Sequence, residues 1–229
     1  MHIVIFTGAG ISEESGLQTF RGGGGLWHNH SIEEVATIEA LQLHPERVIE
    51  FYNMRRQELR SVEPNAAHHA LARLEDRFQV TILTQNVDNL HERAGSTDVL
   101  HLHGELMKAS SLKDSTYSVD LGDRDIEIGD TCPQGGQLRP NIVLFGEELP
   151  AFEKAYEIAA DADLFLVVGT SLQVYPAAGL VNAPPPNCVK VIIDPSAEDL
   201  APGTKVRRIA KTACAGVPPL VDQLLEERI

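Results

Sequence analysis

Two histidines stand two residues apart in "VLHLHGELM" (Val99 to Met107): His101 and His103. In an extended strand, residues i and i+2 project to one side, so the pair has the spacing to clamp an ion, line a pocket or supply a base. Upstream, "TQNVDNLHERAG" (Thr84 to Gly95) gathers Gln85, Asn86 and Asp88. An amide donor, an amide acceptor and a carboxylate together suit a carboxamide ligand, although Asp88 also stands where a helix N-cap would. "FTGAGIS" (Phe6 to Ser12) sets Gly8 and Gly10 directly after an apolar run. Such a turn lets backbone amides approach a pyrophosphate, but the third glycine of the dinucleotide fingerprint is replaced by Glu13, and a ligand-free strand-to-helix turn reads equally well. In "GTSLQVYPAAGL", Gly169, Thr170 and Ser171 either hold ribose and phosphate or cap a helix.

Two further stretches carry chemistry. In "FYNMRRQEL" (Phe51 to Leu59), Tyr52 and Arg55 lie three apart on one helical face. A guanidinium fork beside a phenol makes a carboxylate receptor. The plainer alternative is a solvated helix in which Arg55 pairs with Glu58 or Glu50. "SGLQTFRGGGGLW" (Ser15 to Trp27) holds the glycines Gly22 to Gly25, which favour neither helix nor strand. With Phe20 and Arg21 before them and Trp27 after, they suggest a loop that closes over a ligand beside the first glycine turn.

The elements that must position these residues follow from apolar patterning. Runs at 2–7, 79–85, 98–104, 163–170 and 188–194 are rich in Val, Ile and Leu, as buried parallel strands are. Helical spacing appears at 32–41, 45–60, 66–76, 151–160 and 217–227. Strands alternating with helices predict an α/β fold with a doubly wound parallel sheet. Residues 106–139 break the rhythm with Ser, Asp and Gly and no long apolar strand, so they read as a small insertion. The expected division is a Rossmann-like part (1–30, 77–105 and 140–229), a helical module (31–76) and that insertion, within one catalytic domain spanning 1–229.

Composition narrows the class. The chain has 229 residues, 43% hydrophobic and 23% charged, which is ordinary globular usage. Its N-terminus lacks a basic region and runs straight into the glycine turn, reading as a strand and not a signal peptide; a cytoplasmic location is expected. Three scattered cysteines, Cys132, Cys188 and Cys214, suit free thiols in a reducing compartment. A formal charge of −14 disfavours nucleic acid and anionic membranes and favours a lysine-rich protein segment as partner. A monomer is the expectation.

Taken together and in this order, "GAGIS", "SGLQTFRG", "TQNVDNLHERAG", "LHGE", "LRPNIVLFGE" and "GTSLQVYPAAG" resemble the sirtuins, NAD-dependent protein lysine deacylases. "YNMRR" further resembles the bacterial class III branch, which prefers malonyl, succinyl or glutaryl lysine over acetyl lysine. The resemblance implies His103 as general base, with His101 a packed or hydrogen-bonded neighbour. It implies that Asn86 and Asp88 hold the nicotinamide end and ribose, beside Gln85 and Val87. Gly8, Ala9, Gly10, Ile11, Ser12, Thr19, Phe20, Arg21 and Trp27 map to the cofactor loop. Gly169, Thr170, Ser171 and Ala213 map to the far ribose and phosphates. The acyl pocket would use Tyr52 and Arg55, and the peptide would add as a strand along Val143, Phe145, Gly146 and Glu147. The acyl oxygen would attack the ribose carbon that nicotinamide leaves, His103 would promote formation of a cyclic intermediate, and water would complete the release of free lysine and O-acyl-ADP-ribose.

Three departures stand out. Sirtuins commonly hold zinc with two Cys-x-x-Cys pairs; here "SSLKDST" has no cysteine and "CPQG" supplies only Cys132. One thiolate cannot make a tetrahedral site, so a degenerate zinc ribbon without metal is expected. Gln18 and Thr19 stand where many sirtuins have Pro and Asp. Ile192 replaces an Asn that usually meets the adenosine ribose, which leaves the contacts near Ile192 and Asp194 open. The competing readings are an ordinary deacetylase or ADP-ribosyl transferase on the same pocket, a nicotinamide dehydrogenase, and a non-catalytic NAD or ADP-ribose sensor.

Overall fold

The structure is a computed structural model that describes residues 1–18, 31–114, 116–200 and 206–226. Its strands are β1 (His2–Thr7), β2 (Gln79–Thr84), β3 (Val99–His101), β4 (Gly104–Ser111), β5 (Ser118–Asp120), β6 (Leu138–Ile142), β7 (Leu164–Val168), β8 (Val189–Ile193) and β9 (Val206–Ile209). Six of them form one parallel sheet in the order β3-β2-β1-β7-β8-β9. The strand order reverses between β1 and β7, the switch point where open α/β sheets leave a crevice at their carboxyl ends.

The helices are α1 (Gly10–Glu13), α2 (Ile32–Val35), α3 (Ile38–Leu43), α4 (Pro45–Ser61), α5 (Ala66–Arg73), α6 (Leu90–Arg93), α7 (Phe152–Ala160) and α8 (Ala213–Glu226). Alternation along β1 divides the core. Ile3 and Ile5 pack with Leu71 of α5 and Val217 of α8, whereas Val4 and Phe6 pack with Ala155 of α7 and Leu180 of the 3₁₀ turn at 177–182. Both faces are therefore covered, as a parallel sheet requires. Among the described residues, no helix is long and apolar enough to cross a membrane.

Several expected boundaries move. The run at 98–104 is not one strand: β3 ends at His101, and the chain turns through Leu102 and His103 into β4. Gly104 sits at φ +86°, where a Cβ would lie 2.1 Å from the Asn141 carbonyl oxygen, so only glycine permits this crossing from the large sheet to the small one. The helix expected over 32–41 breaks at Ala36 and Thr37. Thr37 accepts from Ala40 N–H (3.1 Å) and caps α3, while Ala36 and Ile38 pair with Phe145. β9 was hidden by Arg207 and Arg208. α8 begins at Ala213 and not 217, because Glu14 accepts from Cys214 N–H (2.8 Å) and Thr212 Oγ1 (3.1 Å) at its first turn.

The stretch 106–139 does contain a long strand. β4 takes up its first residues and pairs with β5 and β6 in an antiparallel sheet. A small core of Ala109, Leu121, Ile126, Cys132 and Leu138 joins Ile49 of α4. The Cys132 sulfur accepts from Ser111 Oγ (3.2 Å) and Gly136 N–H (3.3 Å). One thiol with these partners does not fit a four-ligand zinc site.

A polar clamp ties this sheet to α4. Asn53 donates to the Ile126 carbonyl (2.8 Å) and accepts its N–H (3.1 Å). Asp125 accepts from Gln57 (2.8 Å) and Arg60 (3.3 Å) and faces the fully buried Arg56 guanidinium at 3.6 Å. Burial pushes Arg56 down to about 10, and Asp125 opposes that shift. Asp125→Asn leaves the buried charge under-compensated, so it is expected to lower stability by about 1–3 kcal/mol in urea titrations. A midpoint unchanged from wild type would contradict the clamp.

Candidate active site

The carboxyl ends of β1, β2, β7 and β8 open into a cleft of about 590 Å³, within the range of ligand pockets. Its floor is an interlock of glycines. Gly8 N–H donates to the Val168 carbonyl (3.1 Å) and Gly10 N–H to the Gly169 carbonyl (2.9 Å). A Cβ on Gly10 would fall 2.9 Å from Gly169 Cα. Gly169 has φ +61°, and a Cβ there would lie 2.4 Å from Ile11 N. These glycines are therefore required first by loop-on-loop packing, whatever the turn then binds.

Most of the residues singled out from the sequence meet in this cleft. Gly8, Ala9, Gly10, Gln85, Asn86, Val87, Gly169, Thr170, Ser171 and Ala213 line it beside Tyr52, His103, Val143, Phe145, Gly146 and Glu147. Ser12, Asp88 and Arg55 line a smaller adjoining cavity, which shares Ala9, Asn86 and Val87 with the cleft. The side chain of Ile11 belongs to the core and Ile192 to the opposite core cluster. Thr19, Phe20, Arg21 and Trp27 lie outside the described residues.

The cleft also includes residues that sequence reasoning missed or left open. Glu13, Glu14, Thr212 and Asp194 line it, and its described lining carries no Lys or Arg. Asp194 follows β8 at its carboxyl end, so the rule that ligands gather there was the available signal. Burial pushes the Asp194 carboxyl up.

The segment Gln85–Asn86 is held from several sides. Asn86 Nδ2 donates to the Gly8 carbonyl (3.2 Å) and to Ser12 Oγ (3.2 Å), and Ser12 Oγ donates to Asp88 (2.9 Å). Asp88 also accepts from Leu90 N–H (3.1 Å), the capping contact at α6. Burial raises the Asp88 pKa, with Leu90 N–H and Ser12 opposing. Gln85 donates to Thr170 Oγ1 (2.9 Å), linking β2 to β7.

The two histidines resolve on hydrogen-bond chemistry. A carbonyl can only accept, so His103 Nδ1, 2.9 Å from the Gln85 carbonyl oxygen, must carry a proton. In the neutral ring Nε2 is then an unprotonated acceptor, and burial lowers the His103 pKa with the carbonyl partly opposing. His101 lies 2.9 Å from the Asn86 carbonyl through Nδ1 and 2.7 Å from the Glu92 carboxylate through Nε2. With an ionised Glu92 accepting on one side and the carbonyl on the other, the two contacts favour the imidazolium form of His101. Burial disfavours that charge, but the Glu92 bond and charge outweigh it and raise the pKa.

Tyr52 and Arg55 differ in setting. Tyr52 lines the cleft, and burial pushes its phenol up against the opposing field of Arg139 and Arg55. Arg55 is 8% exposed and bonded to Glu58, one of the pairings weighed from the sequence. Along the other wall, Val143 N–H donates to the His103 carbonyl and Phe145 N–H to that of Ala36 (both 2.9 Å). Glu147 accepts from Leu144 N–H (2.8 Å) and is gripped by Arg139.

The family model described as the Sir2 family matches residues 8–176. The chain belongs to the Sir2 family. An NAD-dependent protein deacylase from Bacteroides thetaiotaomicron is 47% identical over 229 residues, covering 98% of each chain. A Sir2 homologue solved as an NAD complex has a TM-score of 0.88 and 35% identity, over 98% of this chain and 90% of that one. An ADP-ribose complex of a Sir2 homologue mutant has a TM-score of 0.90, also at 35% identity, over 100% of this chain and 94% of that one. In this Sir2 chain the cleft lies between the sheet that defines the family fold and the α4 face that carries Tyr52.

A buried histidine pair backs the site. His91 Nε2 meets Thr7 Oγ1 (3.0 Å), Thr7 donates to Thr84 (2.8 Å), and Thr84 Oγ1 accepts Asn86 N–H (3.0 Å). His68 packs edge-on against His91, with ring centroids 4.9 Å apart. Burial lowers both pKa values, that of His68 to about 4. Between pH 6.5 and about 4 the unfolded chain binds protons that the folded one does not. Stability present above pH 6.5 is therefore lost on acidification. His68 is expected to contribute a slope of about 1.4 kcal/mol per pH unit in that window. Urea midpoints measured from pH 7 to 4 should show a shallower fall for His68→Gln; equal slopes would contradict the assignment.

Proposed function

We propose that the protein removes acyl groups from protein lysines, consuming one NAD and one water per acyl group and releasing nicotinamide, O-acyl-ADP-ribose and free lysine, with His103 as general base. The observation that carries the assignment is the contact of His103 Nδ1 with the Gln85 carbonyl, which requires the proton on Nδ1. The Gln85 carbonyl holds it there (2.9 Å), and burial disfavours the charged ring, leaving Nε2 as the acceptor in a residue that lines the cleft. Both nitrogens of His101 are engaged, one by the Asn86 carbonyl and one by Glu92, so it has no free acceptor nitrogen and is not the base.

Bound NAD supplies an electrophilic ribose carbon with nicotinamide as its leaving group. The other residues bind and orient. Asn86, fixed by Gly8 and Ser12, and Asp88, fixed by Ser12 and Leu90, take the carboxamide and ribose. Gly169, Thr170 and Ser171, with the amides of the first glycine turn, take the far ribose and phosphates. The cleft fits such a ligand in volume and in its place at the sheet's switch point. The carboxylates along it do not all oppose the phosphates, since Glu14 is spent on α8 and Glu147 on Arg139. An acyl-lysine segment enters beside residues 143–147, drawn by the chain's charge of −14.

Acyl choice is read from α4. Tyr52 in the cleft and Arg55 behind the shared wall form a receptor for the carboxylate of malonyl, succinyl or glutaryl lysine, favouring these over acetyl lysine. The test is a kinetic comparison of wild type with His103→Ala on succinyl-lysine and acetyl-lysine peptides. Loss of the base should lower kcat by about 10²–10⁴-fold on both, with an unchanged melting temperature. A variant that retains wild-type kcat would remove His103 from the role.

A further inference from the structure

The carboxylate receptor already holds a carboxylate. Arg55 is buried on α4 and bonded to Glu58 one turn on, an ion pair within the helix. Burial disfavours the Arg55 charge, and Glu58 is the first of the groups that restore it, ahead of Asp88 and Tyr52. The two partners sit differently: the Arg55 side chain is 9% exposed, the Glu58 side chain 42%. Glu58 therefore stands at the solvent edge of a charge that is itself largely withdrawn from water.

From this asymmetry we propose that Glu58 is a specificity-determining residue, a resident counter-ion that competes with an acyl carboxylate for Arg55 and keeps neutral acyl groups acceptable to the site. The proposal rests on the reading of Arg55 as the acyl-carboxylate receptor. Without Glu58, an acetyl group would leave a buried guanidinium with only the weaker support of Asp88 and Tyr52, and the penalty would disfavour it. With Glu58 in place Arg55 remains paired, so acetyl meets no such penalty. An acidic acyl group must displace Glu58, because it would otherwise add a further negative group beside Glu58 and Asp88. Displacement is cheap, since a half-exposed carboxylate regains water when it swings out. Glu58 thus lowers discrimination by raising the barrier to acidic acyl binding and removing the penalty on neutral acyl binding.

The test is kcat/KM on paired succinyl-lysine and acetyl-lysine peptides for wild type, Glu58→Gln, Glu58→Asp and Arg55→Met, with melting temperatures alongside. Glu58→Gln keeps the shape and removes the charge, and should raise the succinyl-to-acetyl ratio about fivefold, mainly through a lower KM for the succinyl peptide. Glu58→Asp keeps the charge and should stay near the wild-type ratio. Arg55→Met should collapse the ratio. An unchanged ratio in Glu58→Gln, or an equal rise in Glu58→Asp, overturns the role of Glu58 while Arg55→Met still reports on the receptor. Equal loss of both activities in Arg55→Met overturns the receptor reading, and the role of Glu58 falls with it.

Discussion

Two successive backbone carbonyls, those of Gln85 and Asn86, can only accept hydrogen bonds, and the protonation of the site follows from that restriction. His103 gives its Nδ1 proton to the first and His101 gives its own to the second. What separates them is the far nitrogen. That of His101 is engaged by Glu92, which favours the charged ring and fixes it. That of His103 is left as an acceptor. The strand-to-bend transition at Leu102, forced by the close approach of Gly104 to Asn141, delivers the second histidine to the cleft while the first stays at the end of β3. The carbonyls are themselves held: Gln85 reaches across to Thr170, and Asn86 back to Gly8 and Ser12.

Much of the scaffold was legible because parallel strands buried on both faces appear as continuous Val/Ile/Leu runs. β1, β2, β7 and β8 fall within a residue or two of their expected ends. Boundaries that depend on tertiary contacts were not legible. The break between α2 and α3 exists because Phe145 pairs there, and the start of α8 depends on a carboxylate some 200 positions earlier in the chain. β9 carries two arginines in four residues and gives no apolar signal.

Within the site, residue type and order brought out most of the lining, but side-chain direction was beyond reach. Ile11 follows Gly10 in the loop motif, yet its side chain enters the core. Gly8 and Gly10 suggested a phosphate cradle, whereas their missing Cβ atoms are required by Gly169 and Thr170. Tyr52 and Arg55 share a helical face, but only Tyr52 opens on the large cleft. α4 is consequently the element on which the scaffold and the cleft wall meet. One side is clamped to the small sheet through Asn53, Arg56 and Arg60. The other carries Tyr52 on the cleft and Arg55 on the adjoining cavity, so a domain lacking zinc cysteines still holds that helix in register.

The most direct test of the central claim is the coupling between the two substrates: nicotinamide released and succinyl-lysine peptide consumed, counted together by mass spectrometry and chromatography in the same reaction. A site that uses His103 to resolve acyl transfer onto the ribose predicts one nicotinamide per lysine freed, with O-succinyl-ADP-ribose in equal amount and neither event without the other substrate. Nicotinamide release that proceeds at the same rate without peptide, or lysine freed without NAD, would contradict it.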